Sequence, residues 1–442
     1  MSEDTIFALA SGQGRAGVAV FRLSGPHAVA AAEHLSGKAL PPARTAALRT
    51  LRDPAGGEVL DHALVIFFPG PNSFTGEDVV EFHTHGGRAV TTAVVEVLSR
   101  LPGLRLAEPG EFSRRAFENG KMDLTAVEGI ADLVDAETAA QRRQALRQME
   151  GELGRLYGQW REKLLRALAW CEAYLDFPDE GLPPEVAEKV WASVADVRQA
   201  IQTHLDDDHR GERLRDGFSV AIVGAPNAGK SSLLNALARR EAAIVSAQAG
   251  TTRDVIEVHL DLGGFPVIMA DTAGLRESGD TIEGEGIRRA LARAGQADLK
   301  LAVFDVAMPL DEATLALVDG NTLPVLNKTD AVQNQLPRTV SGQPAFPVSV
   351  QTGEGMATLL KILEKAVAAR LEGQGGPPLT RTRHRAALED CVAALARAGE
   401  ARLPELAAED LRLAVRHIGR ITGHADVEEV LDIIFRDFCI GK

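Results

Sequence analysis

The run Gly224-Ala225-Pro226-Asn227-Ala228-Gly229-Lys230-Ser231 has the spacing of a loop that cradles phosphate. Such a loop wraps oxyanions with main-chain N–H groups at the start of a helix, where the aligned peptide dipoles favour negative charge. Lys230 would reach the β- and γ-phosphates, and the Ser231 hydroxyl is suited to Mg²⁺. The octamer follows the apolar run Phe218 to Val223 and precedes Leu233-Leu234-Asn235-Ala236-Leu237. A strand before and a helix after are the context this motif needs.

Three further elements follow in order. Asp271-Thr272-Ala273-Gly274 comes after the apolar run Val267 to Ala270, which puts Asp271 in the magnesium shell and the Gly274 amide at the γ-phosphate. Asn327-Lys328-Thr329-Asp330 comes after Leu323 to Leu326. There the Asp330 carboxylate can accept two hydrogen bonds from the edge of guanine, and adenine would leave it unpaired. Between them, Gly250-Thr251-Thr252-Arg253-Asp254 offers a hydroxyl, best that of Thr252, to close over Mg²⁺ when the γ-phosphate is present. Ser349 stands where a last base-contacting loop belongs. A water-orienting glutamine is missing, because Leu275 follows Gly274. The catalytic group must then come from elsewhere, and Glu283, in a Gly-rich polar stretch, is the candidate. Its alternative is a solvated carboxylate. The Asn227 side chain can help hold a monovalent cation whose charge would act as an arginine finger does.

These residues need a scaffold. From about 213 to 373, buried-strand runs (Phe218 to Val223, Val267 to Ala270, Leu301 to Val306, Leu323 to Leu326) alternate with helical stretches. That alternation is the signature of a mostly parallel sheet wrapped by helices, a Ras-like P-loop G domain. Residues 1–118 mix short β runs with Gly/Pro turns and read as an N-terminal α/β domain. Helical periodicity governs 119–212, with Leu153, Leu156, Trp160, Leu164 and Leu168 in phase. It returns in 374–442 after the linker Gly373 to Pro378. The expected architecture is a multidomain α/β plus all-α chain, with the G domain inserted into a helical domain whose two parts pack together.

At 442 residues the chain has room for about three domains. A formal charge of −14 argues against non-specific coating of nucleic acid. Arg142-Arg143 and Arg381-Thr382-Arg383-His384-Arg385 read as a local basic patch or a solvated face. No apolar run is long enough for a membrane span, and Met1 to Ala10 lacks a signal pattern, so a cytoplasmic protein with no membrane partner is expected. Cys171, Cys391 and Cys439 form no Cys-x-x-Cys unit. His83 and His85 lack an evident third ligand for a metal.

Outside the nucleotide motifs, four segments carry a resemblance. They are Gly14-Arg15-Ala16-Gly17-Val18-Ala19-Val20-Phe21-Arg22-Leu23-Ser24-Gly25, Phe74-Thr75-Gly76-Glu77-Asp78-Val79-Val80-Glu81-Phe82, Ala107-Glu108-Pro109-Gly110-Glu111-Phe112-Ser113-Arg114-Arg115-Ala116-Phe117 and Asn119-Gly120-Lys121-Met122-Asp123-Leu124. With the final Phe438-Cys439-Ile440-Gly441-Lys442, they make the chain resemble the tRNA modification GTPase MnmE (TrmE) family over essentially its whole length.

The resemblance implies a homodimer joined by the N-terminal domain, which would bind 5-formyltetrahydrofolate or a related one-carbon donor through Arg22, Glu81, Lys121 and Lys442. It implies action on tRNA with an FAD-binding partner, MnmG, in a heterotetramer that adds an aminomethyl or carboxymethylaminomethyl group to C5 of the wobble uridine. It further implies K⁺-dependent pairing of G domains that stimulates GTP hydrolysis. K⁺ would be held by Asn227, Ser246, Gln248 and Thr251 and Mg²⁺ by Ser231 and Thr252. Glu283 would orient water beside the catalytic Lys230. GTP contacts would fall on Asn227, Ala228, Gly229, Lys230, Ser231, Ser232, Ser246, Ala247, Gln248, Ala249, Gly250, Thr251, Thr252, Asp271, Thr272, Ala273, Gly274, Asn327, Lys328, Asp330 and Ser349. Cys439 is a candidate thiol of the modification chemistry. Two departures stand out: Ser246-Ala247-Gln248 replaces a Thr-Asp-Ile type of sequence, and Val350 replaces the usual Ala after Ser349.

Two other readings share the nucleotide motifs. A ribosome-assembly-type GTPase switch would carry a KH-like Gly-x-x-Gly clamp, and no convincing one is found. A nucleotide-binding scaffold would bind GTP without releasing phosphate.

Overall fold

The computed structural model describes residues 4–12, 14–176, 184–240, 257–271, 295–333, 335–373, 376–425, 431, 434–436, 438, 440 and 441. The chain divides into two compact units, one of residues 1–131, 148–195 and 393–442, the other of residues 132–147 and 196–392.

In the first unit, β1 (Thr5–Leu9), β2 (Ala16–Ser24), β3 (Ala47–Arg52), β4 (Val59–Phe68), β5 (Val79–Gly86) and β6 (Leu104–Leu106) form a sheet in the order β3-β4-β5-β2-β1-β6. All neighbours are antiparallel except β1 and β6. Side chains alternate across a strand. Phe21, Leu23, Ala63, Val65, Val80 and Phe82 accordingly enter a core with Ala28, Ala32 and Leu35 of helix α1 (Ala28–Ser36) and Val94, Val97 and Leu98 of α2 (Arg88–Arg100). The intervening residues form the opposite face, where Arg22 stands opposite Glu81 and Leu48 opposite Leu64.

Helices α3 (Glu111–Glu118) and α4 (Leu124–Asp135) follow, then α5 (Ala139–Met149) and α6 (Glu152–Asp176). Leu124, Val127, Leu431, Phe435 and Phe438 share a core. Pro109 bridges Ile440, and a side chain at Gly441 would strike the carbonyl oxygen of Leu9. Residues near 440 therefore lie against the first strand. The helix Pro404–Thr422 runs beside α6, with Arg412 paired to Glu172 at 3.0 Å.

The second unit is built on β7 (Phe218–Val223), β8 (Glu257–Leu262), β9 (Phe265–Asp271), β10 (Leu299–Asp305), β11 (Thr322–Asn327) and a short strand Phe346–Pro347, in the order Phe346–Pro347, β11, β10, β7, β9, β8. Every pair is parallel except β8 with β9. The central strands are apolar on both sides because helices cover both faces, as parallel sheets require. Val220, Ile222, Leu301, Val303 and Val325 pack toward Leu233, Leu237, Leu359 and Leu363, while Ala221, Val223, Ala302, Phe304 and Leu326 fill a second core. The expected fold class holds: an N-terminal α/β sheet, long helices, and a mostly parallel Ras-like sheet.

The basic run Arg381 to Arg385 is neither a surface patch nor a solvated face. Arg385 is buried, pairing with Asp207 at 2.6 Å and Glu212 at 3.2 Å and donating to the Leu205 carbonyl at 2.8 Å. Arg381 pairs with Asp132 at 2.7 Å, and so does Arg215 at 2.9 Å. Burial pushes the nearby His204 down to about 4, against the raising effect of Asp207. Among the described residues no helix is long and apolar enough to cross a membrane.

Candidate active site

The phosphate loop leaves the carboxyl end of β7, Asp305 ends β10, and Asn327 ends β11, so the site gathers at the carboxyl edge of a parallel sheet, the usual binding edge of such folds. Its backbone is special at two glycines. Gly224 has φ +154, and a Cβ there would sit 2.4 Å from the Val303 carbonyl oxygen. Gly229 has φ +98, and a Cβ would sit 2.2 Å from Asn327 Nδ2. Both positions demand a residue without a side chain. Asn227 adopts a left-handed φ of 63°, a conformation asparagine tolerates better than most residues.

Helix α7 (Lys230–Arg240) starts directly after Gly229. Lys230 is 6% exposed, and its ammonium donates to the carbonyls of Gly224 and Ala225 at 2.9 Å each. That places its charge at the loop. Ser231 and Ser232 are exposed in the first turn. Ala228 is buried, and its carbonyl accepts from Asn327 Nδ2 at 2.9 Å. Asn327 thereby ties the phosphate loop to the end of β11 across the sheet.

At the end of β11, Asn327 Oδ1 accepts from the Val350 backbone N–H at 3.3 Å. The contact is made by main chain, so valine in place of alanine leaves it intact. Ser349 is buried, donates its hydroxyl to Asp330 Oδ1 and accepts the Thr352 N–H at 3.1 Å. Asp330 itself is exposed. Lys328, with φ 65°, pairs through Nζ with Asp305 Oδ2 at 2.6 Å. Burial tends to raise the Asp305 carboxyl, but Lys328 and the Ala307 N–H outweigh it and hold it below the ordinary carboxylate range. Asp305 escaped the sequence reading; its signal was a lone carboxylate in the apolar run Leu301 to Val306.

The strand β9 delivers Asp271 to the same sheet edge, between β7 and β8. Ser246, Ala247, Gln248, Ala249, Gly250, Thr251, Thr252, Thr272, Ala273, Gly274 and Glu283 lie outside the described residues.

The first unit holds a separate polar constellation. Arg22 pairs with Glu81 at 2.9 Å, and Glu81 also meets His83 Nε2 at 3.3 Å. The Arg22 guanidinium lies 5.5 Å from the Phe74 ring centre and 5.8 Å from that of Phe112. In the same unit, Arg115 is 4% exposed and pairs with Asp4 at 2.8 Å, Glu77 at 3.1 Å and Glu111 at 3.2 Å. Burial would raise Glu111, but hydrogen bonds from Arg105 and the Glu108 N–H, with the charge of Arg115, hold it below the usual range. Lys121 donates to the Pro71 carbonyl at 2.8 Å. His85 pairs with Asp61, apart from His83. Lys442 and Cys439 lie outside the described residues; Cys171 and Cys391 are buried, and burial drives the Cys391 thiol up to about 12.

A glycine-pinned phosphate loop joined through one asparagine to a carboxylate-bearing base motif, on a mostly parallel sheet, defines a P-loop nucleotide-binding protein of the G-domain class. The sequence pattern of the MnmE helical domain matches residues 124–439, and that of the GTP-binding protein TrmE N-terminus matches residues 5–121. The tRNA modification GTPase MnmE of Paramagnetospirillum magneticum is 59% identical, with 100% of both chains covered. That of Rhodospirillum rubrum is 58% identical, again over 100% of each. The human mitochondrial 5-taurinomethyluridine-[tRNA] synthase subunit GTPB3 is 51% identical over 99% of this chain and 93% of its own length. The chain belongs to the MnmE family of tRNA modification GTPases and hydrolyses GTP in that role.

Proposed function

We propose that this protein works as a homodimer in the cytoplasm and, with an FAD-binding partner of the MnmG type, installs an aminomethyl or carboxymethylaminomethyl group on C5 of the wobble uridine of certain tRNAs. Identity over the full length to proteins named for tRNA modification carries the reading. The division of labour proposed is residues 1–118 for folate binding and dimerisation, 213–373 for the G domain, and 119–212 with 374–442 for the helical domain.

In the G domain, water attacks the γ-phosphorus and the bond to the β–γ bridging oxygen breaks, giving GDP and phosphate. Lys230, held at the loop, answers the charge that builds on the phosphates. Ser231 is fit to ligate Mg²⁺, standing exposed one residue after Lys230, with Thr252 as the second protein ligand. Asn327 and Asp330 select guanine, backed by Ser349. Asn227 would contribute to a K⁺ site with Ser246, Gln248 and Thr251, and Glu283 would orient the water. When bound, K⁺ supplies positive charge beside the phosphates.

In the N-terminal domain, Arg22 and Glu81 fit a folate: a guanidinium suits the folate's carboxylates, and a carboxylate suits the N–H groups of a pterin. The group's contribution, when bound, is a one-carbon unit. Lys121 and Lys442 would complete the contacts. Exposed Val18, Leu48 and Leu64 add apolar side chains to the outer face of the sheet, consistent with pairing of two copies.

The test has two arms. Nucleosides of tRNA from cells lacking the gene should lose the modified wobble uridine by mass spectrometry, and normal levels would refute the tRNA reading. Purified protein should release phosphate from GTP much faster in KCl than in NaCl, and equal rates would refute the cation mechanism.

A further inference from the structure

We infer that Asp305 is a positioning residue of the guanine site, one that holds Lys328 in place so that its aliphatic stem forms a ready wall against the base. The inference rests on the reading of Asn327 to Asp330 as the guanine-binding motif. Four observations carry it. Asp305 is the last residue of β10 and stands in register with Asn327, the last residue of β11. Its carboxylate is fixed at both oxygens, Oδ2 by Lys328 Nζ at 2.6 Å and Oδ1 by the Ala307 N–H at 3.0 Å. The Val306 N–H donates to the Asn327 carbonyl at 3.1 Å, locking the two strand ends together. Finally, Lys328 starts the turn Thr329–Ala331 with a left-handed φ of 65°, so its main chain is already committed and only the side chain is left to order.

A lysine side chain loses more rotamer freedom on ordering than most. If that ordering waited for the nucleotide, binding would bear its cost; a carboxylate that orders it beforehand removes this cost. The contrast with Lys230 is informative. Lys230 is buried and held by the carbonyls of its own loop, where it faces phosphate. The Lys328 side chain is 39% exposed and would lie largely unrestrained without Asp305. That exposure also keeps the expected effect modest.

The experiment uses full-length protein and N-methylanthraniloyl-GDP as probe, comparing wild type, Asp305→Asn, Lys328→Met and the double variant. Asp305→Asn should weaken binding about fivefold. Lys328→Met should weaken it at least as much, and the double variant should match Lys328→Met alone. Asp305→Glu should recover part of the loss, and kcat at saturating GTP should stay near wild type. Wild-type affinity in Asp305→Asn would overturn the inference, as would an equal loss in the Lys328→Met background, because Asp305 would then act without Lys328. Wild-type affinity in Lys328→Met would overturn the inference as well, whereas an unchanged preference for guanine over adenine diphosphate in Asp330→Asn would overturn the underlying guanine-site reading. A thermal melt of nucleotide-free Asp305→Asn that matches wild type separates positioning from misfolding, and loss of binding seen only with a lowered melt counts against positioning.

Discussion

At the carboxyl edge of β7 and β11 the proposed nucleotide site is built mostly from main chain; on the outer face of β2 and β5 the proposed folate site is built from side chains. The phosphate loop needs two glycines and an asparagine amide that spans from base motif to loop. The Arg22 constellation sets charges on neighbouring strands, and a separate buried cluster gathers around Arg115. A backbone site tolerates no added atom at its pinned positions, whereas a side-chain site fails gradually as individual partners are removed.

Gly229→Ala should therefore have the largest effect. Its Cβ would occupy the place of Asn327 Nδ2, breaking the link to Ala228 and straining the loop, and GTP affinity should fall roughly a hundredfold. Titration with a fluorescent GDP would check this, and a loss under threefold would mean that the loop adapts after all. Arg22→Ala should lower affinity for 5-formyltetrahydrofolate about tenfold by calorimetry while leaving GTP turnover alone. Arg22→Lys should not restore it, because an ammonium cannot reproduce the planar fork. An unaltered affinity would move the folate site elsewhere.

The smallest effect concerns acid. Glu111 has a folded value held below its ordinary 4.5, so its stabilisation is present above that value and is lost as pH falls through the folded one. Urea unfolding should show Glu111→Gln less stable than wild type at pH 7, with the gap closing as the pH drops below about 4. A gap independent of pH would show that shape rather than charge holds the cluster.

The placement of the nucleotide motifs on the sheet was legible because each motif is contiguous and follows its own strand, so local spacing suffices to put it there. The link from Asn327 to Ala228 spans 99 positions and emerges only when β11 and β7 share a sheet. Arg22 and Glu81, 59 positions apart, face each other only through strand register, so a family resemblance rather than spacing pointed to them. Arg385 was misread for the same reason. A run of basic residues looks solvated until Asp207 and Glu212 arrive from a distant segment to neutralise it. Asp305 was passed over because a carboxylate at a strand end reads as a boundary until its partner is known.

The contact of Gly441 with Leu9 and the bridge from Ile440 to Pro109 set a timetable for synthesis. Strand Thr5–Leu9 has β2 and β6 beside it early, but the Gly441 that meets its Leu9 end is made more than four hundred residues later. At ordinary translation speeds the Leu9 end of the strand waits on the order of a minute for that contact. A nascent chain stalled before residue 438 should thus carry a formed β1–β2 pair that a protease can still reach at Leu9 and Ala10.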